Sequence, residues 1–266
     1  MSYTLLNGNY KQYNIFRILD EITATIKGIK KFLKGKGFDE NKLELFISGG
    51  SAGGHLSLLY PNIIKNSPIP IKFIWNYVGP VTLDPDYWLT TKNSTEPLEN
   101  IDQESITEAQ SEDKLIQMNE AGSVVDINNT ILIVFMNVWL GREKTADFDE
   151  IFLNVATGEI NETSEKYQEL LNLTTYAYPI TYITNESIPT LCVYGGLDLT
   201  IGVDHYATLK ETFDENNNSN ITLVYFRYGS HNPFDDKTEY GRKATAELYN
   251  QLYYYMSTYL DTFKDN

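Results

Sequence analysis

The chain has 266 residues, 42% of them hydrophobic and 13% aromatic, with 36 Asp and Glu against 21 Lys and Arg for a net charge of -15. Its 20 Tyr, 12 Phe and 3 Trp exclude a disordered chain, because that much aromatic surface demands burial. The acidic balance repels phosphate backbones and anionic lipid, which sets nucleic acids and membrane surfaces aside as partners; one cysteine and three histidines leave no internal disulfide and little for a zinc site.

In chain order, residues 2–6 are a short strand candidate ended by Asn7-Gly8-Asn9, a turn signal. Apolar side chains at Ile15, Ile18, Leu19, Ile22, Ile26, Ile29 and Leu33 recur at spacings of three and four, which predicts a helix stopping near Gly35 and Gly37. Residues 43–48 then predict a strand, 55–60 a helical stretch, and 71–76 a third strand running to Gly79-Pro80. From about 81 to 178 the chain is acidic and irregular; we read this as a cap-like insertion within one domain spanning 1–266. Its apolar run at 131–140 is about half of what a membrane span needs and predicts a buried helix. Alternation resumes with a strand at 190–194, a helix at 203–213, a strand at 221–226 and a last helix at 239–260. That last helix carries Ala244, Leu248, Leu252, Tyr255 and Tyr259 on one face. Strand and helix in turn are the grammar of a parallel sheet flanked by helices, an α/β fold. The first residues lack both the basic start and the long apolar stretch of a secretory signal, so the expected location is cytoplasmic. Cys192 falls in the 190–194 strand and is expected to be a buried small hydrophobe.

Gly49-Gly50-Ser51-Ala52-Gly53 places a Gly-x-Ser-x-Gly sequence between a strand and a helix. A sharp turn there strains the central Ser and projects its hydroxyl from the carboxyl end of the sheet, with small neighbours avoiding collision. A serine nucleophile needs a base, and the base needs an orienting carboxylate. Asp198 follows the 190–194 strand, and His231 follows the 221–226 strand, so the chain order is Ser, Asp, His. Each has a rival reading: Ser51 as a plain helix N-cap, Asp204 as the acid, and His55 or His205 as the base. Both of those histidines fall within helices, where a surface or core role is the simpler expectation.

The run Ile47-Ser48-Gly49-Gly50-Ser51-Ala52-Gly53-Gly54-His55-Leu56 resembles the nucleophile elbow of the α/β-hydrolase esterase and lipase families, in the branch with a Ser-Ala-Gly-Gly elbow. The segment ending Tyr194-Gly195-Gly196-Leu197-Asp198 is similar to the family's acid turn, and Gly229-Ser230-His231 to its histidine loop. The resemblance covers about 1–80 and 178–266. It implies an α/β-hydrolase fold and a serine hydrolase that cleaves a small-molecule carboxylic ester through an acyl-enzyme on Ser51. His231 would be the base, Asp198 the orienting acid, the N–H of Ala52 an oxyanion donor, and no metal or organic cofactor would be needed. The chain departs from the family in showing no His-Gly-Gly loop upstream of the elbow and in starting after the family's first strands. Three readings follow: a piece of a longer protein, a shortened hydrolase whose residues 2–6 cover the exposed edge, or a non-catalytic relative acting as a binding protein. A small peptidase of the same fold is a weaker alternative, and an open sheet edge implies a possible homodimer. Trp75, Tyr77, Tyr87, Trp88 and Trp139 are candidates to line the substrate pocket, with ordinary core packing the simpler role for each.

Overall fold

The structure, a computed structural model, describes residues 15–82, 153–154, 159–160, 163, 168, 175–196, 198, 201–227, 229–232 and 238–263. The expected strand at 2–6, the expected helix at 131–140 and nearly all of the insertion lie outside the described residues.

Four strands form one parallel sheet: β1 (Leu45–Gly50), β2 (Ile71–Tyr77), β5 (Thr190–Gly195) and β6 (Ile221–Phe226), in the spatial order β1-β2-β5-β6. A two-stranded antiparallel pair, β3 (Leu153–Asn154) and β4 (Glu159–Ile160), falls within the stretch expected to be an insertion. The helices are α1 (Ile15–Gly35), α2 (Ala52–Ile63), α3 (Asp204–Glu215) and α4 (Glu239–Tyr259). Each pair of neighbouring parallel strands is joined by a long connection, as a parallel ladder requires.

Because side chains alternate across a strand, each strand feeds two cores. Ile74, Cys192 and Tyr194 face Leu58 of α2 and Leu209 and Phe213 of α3. Phe73, Leu191 and Val193 face the other way, onto Ala244, Leu248 and Tyr255 of α4. Every residue of β5 is buried, as expected of an inner strand covered on both faces. The helix α1 lies against α2 through Ile15, Ile18, Leu19, Ile22 and Ile26 packed with Leu56, Leu59 and Tyr60. Its apolar stripe ends early: Ile29, expected on the buried face, is 38% exposed, and the last buried residue of the stripe is Ile26.

Two boundaries differ from the sequence reading for identifiable reasons. The strand β1 runs on through Gly49 and Gly50, which pair with Asn76 and Tyr77 of β2. The helix α2 begins directly at Ala52 and passes Pro61 to end at Ile63. Its last turn is held by Ile64 N–H donating to Tyr60 O at 2.8 Å and by Asn62 Nδ2 donating to Leu58 O at 2.7 Å. Cys192 is fully buried in β5, as expected, and burial pushes its thiol up to about 12.

Candidate active site

All four strands of the main sheet are parallel, so the residues after their carboxyl ends share one rim. Ser51 follows β1, Asp198 follows β5 and His231 follows β6. The three sequence-selected side chains therefore stand on the same edge of the sheet, the usual place for a ligand in an open α/β sheet.

Ser51 has φ 53° and ψ -120°, a strained conformation for a residue with a Cβ. It occupies the N-cap position of α2, but its side chain makes no capping hydrogen bond. The plain N-cap reading of Ser51 is thus not what the geometry shows, because capping requires the hydroxyl to turn back onto the helix amides. The backbone around it is fixed: Ser51 N–H donates to Tyr77 O at 2.9 Å, and Ser51 O accepts from His55 N–H at 3.0 Å. Ala52 is the first residue of α2, so its N–H lies in the turn where amides have no intrahelical acceptor.

The small residues around Ser51 have different reasons. A Cβ on Gly49 would stand 2.2 Å from Gly53 O, and one on Gly50 would stand 2.7 Å from the Tyr77 ring. Gly54 packs on the backbone of Gly79, at 2.7 Å from where its Cβ would be. Gly53 is different: among the described residues no atom lies within 4 Å of its Cβ position. The expectation that small neighbours prevent collision holds for Gly49, Gly50 and Gly54, whereas at Gly53 the partner of the collision is its own carbonyl, which needs no missing side chain.

The imidazole of His231 donates through Nδ1 to Asp198 Oδ2 at 2.9 Å. The second carboxylate oxygen, Oδ1, accepts from Ile201 N–H at 2.8 Å, and the Asp198 side chain is fully buried. A carboxylate can only accept, so the proton of a neutral His231 sits on Nδ1 and its Nε2 carries the acceptor lone pair. The carboxylate on His231 is therefore Asp198; Asp204 stands in the first turn of α3, where a negative charge suits the helix N-terminus. Gly195 and Gly196 make the pairing possible. A Cβ on the first would stand 2.3 Å from Gly229 O, and on the second 2.3 Å from Arg227 O, so the acid turn and the histidine loop pass backbone to backbone. Gly196 N–H also donates to Phe226 O at 2.8 Å.

His55 and His205 are core residues. His55 is buried with Nδ1 2.8 Å from Pro80 O, and burial, partly offset by the carbonyls of Pro80 and Ala177, holds it down to about 4. His205 Nδ1 accepts from Val81 N–H at 3.3 Å, and burial followed by the neighbouring His55 holds it down to about 3. Together they fasten the segment that leaves β2.

Two residues join the site that the motifs did not single out as working parts. Tyr77 ends β2, and its hydroxyl donates to Asn232 Oδ1 at 2.8 Å, one residue past His231. Nothing in the sequence pairs residues 77 and 232; only the strand register brings them together. Of the other aromatic candidates, Trp75 packs among the residues facing α4, while Tyr87, Trp88 and Trp139 lie outside the described residues.

No protein-family model matches the sequence, nor does any curated protein. Solved structures do resemble it. One is a truncated form of a carbohydrate esterase from gut microbiota, with a TM-score of 0.51 and 14% identity over 91% of this chain and 70% of that one. Another is the esterase of Pyrobaculum calidifontis, with a TM-score of 0.50 and 14% identity over 91% of this chain and 61% of that one. The chain has the α/β-hydrolase fold. It spans between 61% and 70% of the length of these two esterases. No helix among the described residues is long and apolar enough to cross a membrane.

Proposed function

We propose that the protein is a serine hydrolase that cleaves small carboxylic esters. The observation that carries this reading is the strained, uncapped Ser51 on the same sheet rim as an imidazole whose Nδ1 is bound to a buried carboxylate. The likeness to esterases in fold supports hydrolysis in general; the residue roles rest on the geometry of this chain.

In the proposed reaction His231 Nε2 takes the proton of Ser51 Oγ as the oxygen attacks the ester carbonyl carbon. Asp198 stabilises the resulting imidazolium without taking its proton. The carbonyl oxygen becomes an oxyanion that accepts from the N–H of Ala52. Collapse breaks the bond to the alcohol, which leaves with the proton from Nε2, and an acyl-Ser51 ester remains. Water, deprotonated by His231 in turn, releases the acid and restores Ser51. In this reading residues 81–178 are the cap that shapes the acyl pocket over the rim.

The test is turnover of p-nitrophenyl acetate and butyrate by the parent and by Ser51→Ala. The reading expects the substitution to lower kcat by about a millionfold at an unchanged thermal midpoint, as removal of a nucleophile does elsewhere. Equal activity in both proteins, or none in the parent, would favour the binding-protein reading instead.

A further inference from the structure

Tyr77 touches both halves of the candidate site. Its backbone carbonyl accepts from Ser51 N–H at 2.9 Å, and it pairs with Gly50 across the β1–β2 ladder. Its ring fills the space that a Cβ on Gly50 would need, with Cδ1 2.7 Å from that position. At the far end of the ring the hydroxyl donates to Asn232 Oδ1 at 2.8 Å. One residue back along the chain, His231 is bound to Asp198.

The anchorage at the base of Tyr77 is unusually firm. Asn76, fully buried, donates from Nδ2 to Tyr194 Oη at 2.9 Å, while its Oδ1 accepts from Gly79 N–H at 3.0 Å. Tyr194 Oη in turn donates to Gly79 O at 2.6 Å. Val78, the next residue, holds a positive φ of 43° that a β-branched side chain resists, and its N–H donates to Val193 O at 2.9 Å. Strain of that kind persists only where the surroundings fix it. The end of β2 is therefore a rigid post, and the ring it carries spans from the elbow to the histidine loop. The loop itself has only part of that support: the side chain of His231 is 23% exposed, and Asn232 is exposed.

We propose that Tyr77 is a positioning residue of the hydrolytic site, its ring and hydroxyl bracing the loop that carries His231 against the turn that carries Ser51. The inference rests on the serine-hydrolase reading and adds to it the part that sets the relative placement of base and nucleophile. Burial, and after it the charge of Asp198, pushes the phenol above its ordinary range, so the hydroxyl acts as a neutral donor. A loss of placement of about 1 Å at a reacting group costs up to about a hundredfold in rate.

The test compares the parent with Tyr77→Phe, Asn232→Ala and the double variant. Tyr77→Phe keeps the ring on Gly50 and removes only the hydroxyl. The expected result is a fall of about tenfold in kcat and in the rate constant for labelling by a fluorophosphonate probe, with KM and the thermal midpoint nearly unchanged. Asn232→Ala should match it, and the double variant should be no worse than either single one, since one bond is removed three ways. Unchanged kcat and labelling in Tyr77→Phe, or losses that multiply in the double variant, would overturn the inference while leaving the hydrolase reading intact. A parent that is not labelled at all would contradict the hydrolase reading instead. The low-field proton resonance of the His231 Nδ1–H bond to Asp198 then decides the brace. Its presence in the parent and its broadening in Tyr77→Phe would support the bracing contact; its absence from the parent, or no change in the variant, would overturn it.

Discussion

Ser51 holds a conformation that costs about 1 to 3 kcal/mol, and its neighbours determine whether the chain can keep it. The contrast between Gly49 and Gly53 makes this testable. Gly49→Ala would press a Cβ onto the Gly53 carbonyl, a backbone atom that cannot give way without moving the elbow. Chemical denaturation is expected to show a loss of about 2 kcal/mol or more. Gly53→Ala meets no described atom and lies inside α2, so the same measurement should show no loss, or a gain of up to about 1 kcal/mol from helix propensity. Equal damage from both substitutions would contradict the steric account. At the acid, Asp198→Asn keeps the volume and an acceptor oxygen for Ile201 N–H. Its amide, however, can point N–H at His231 Nδ1 and force the proton onto Nε2. We expect kcat to fall by about ten thousandfold while the fold persists; a fall of less than about tenfold would remove Asp198 from the proposed role. Ser51, Asp198 and His231 were legible in the sequence because each sits in a short motif beside its own strand. Tyr77 and Asn232 were not, because 155 positions separate them and their contact depends on register across two strand pairs, β2 with β5 and β5 with β6.

The helices act on the site through what they press on. The stripe of α3 that faces the sheet consists of His205, Leu209 and Phe213, so the helix has few anchors. It follows directly on the turn in which Ile201 N–H holds Asp198. Leu209→Ala, at a fully buried position, is expected to cost about 2 to 5 kcal/mol of stability and to loosen that turn. Urea unfolding measures the first effect; a loss below about 1 kcal/mol would show that α3 does not depend on this residue. The periodicity of α1, α3 and α4 marked these elements closely because each keeps one face in water. The stripe alone could not show where α1 stops being covered, since Ile29 keeps the apolar spacing and is nevertheless 38% exposed. Helix α2 was the least legible. It is buried along most of its length, its pattern lacks a polar face, and Pro61 marks a false end.

At the scale of the whole molecule, the two buried histidines tie stability to pH. His55 and His205 titrate near 4 and 3 in the folded protein, against an ordinary value of 6.5. Between those values the unfolded chain binds protons that the folded one refuses, so their contribution is fully present above pH 6.5 and is lost as pH falls. Each adds a slope of at most about 1.4 kcal/mol per pH unit in that window. Urea unfolding at pH 7.5 and 5.5 should show lower stability at the acid pH, and His205→Gln should flatten the difference. Stability that is equal or higher at pH 5.5 would contradict the account. The same two rings hold Pro80 and Val81, where the chain leaves β2, so acid should loosen the rim before it unfolds the sheet. The parallel architecture was legible from the alternation of strands and helices, whereas the two-sided core was not, because a continuous apolar run such as β5 does not say which face each residue serves. The central claim is that this rim activates Ser51. Intact-mass and peptide analysis after treatment with a fluorophosphonate probe tests it most directly: one adduct, on Ser51, absent from His231→Ala and from unfolded protein, is the expected result, and a folded parent that takes no adduct at Ser51 would contradict it.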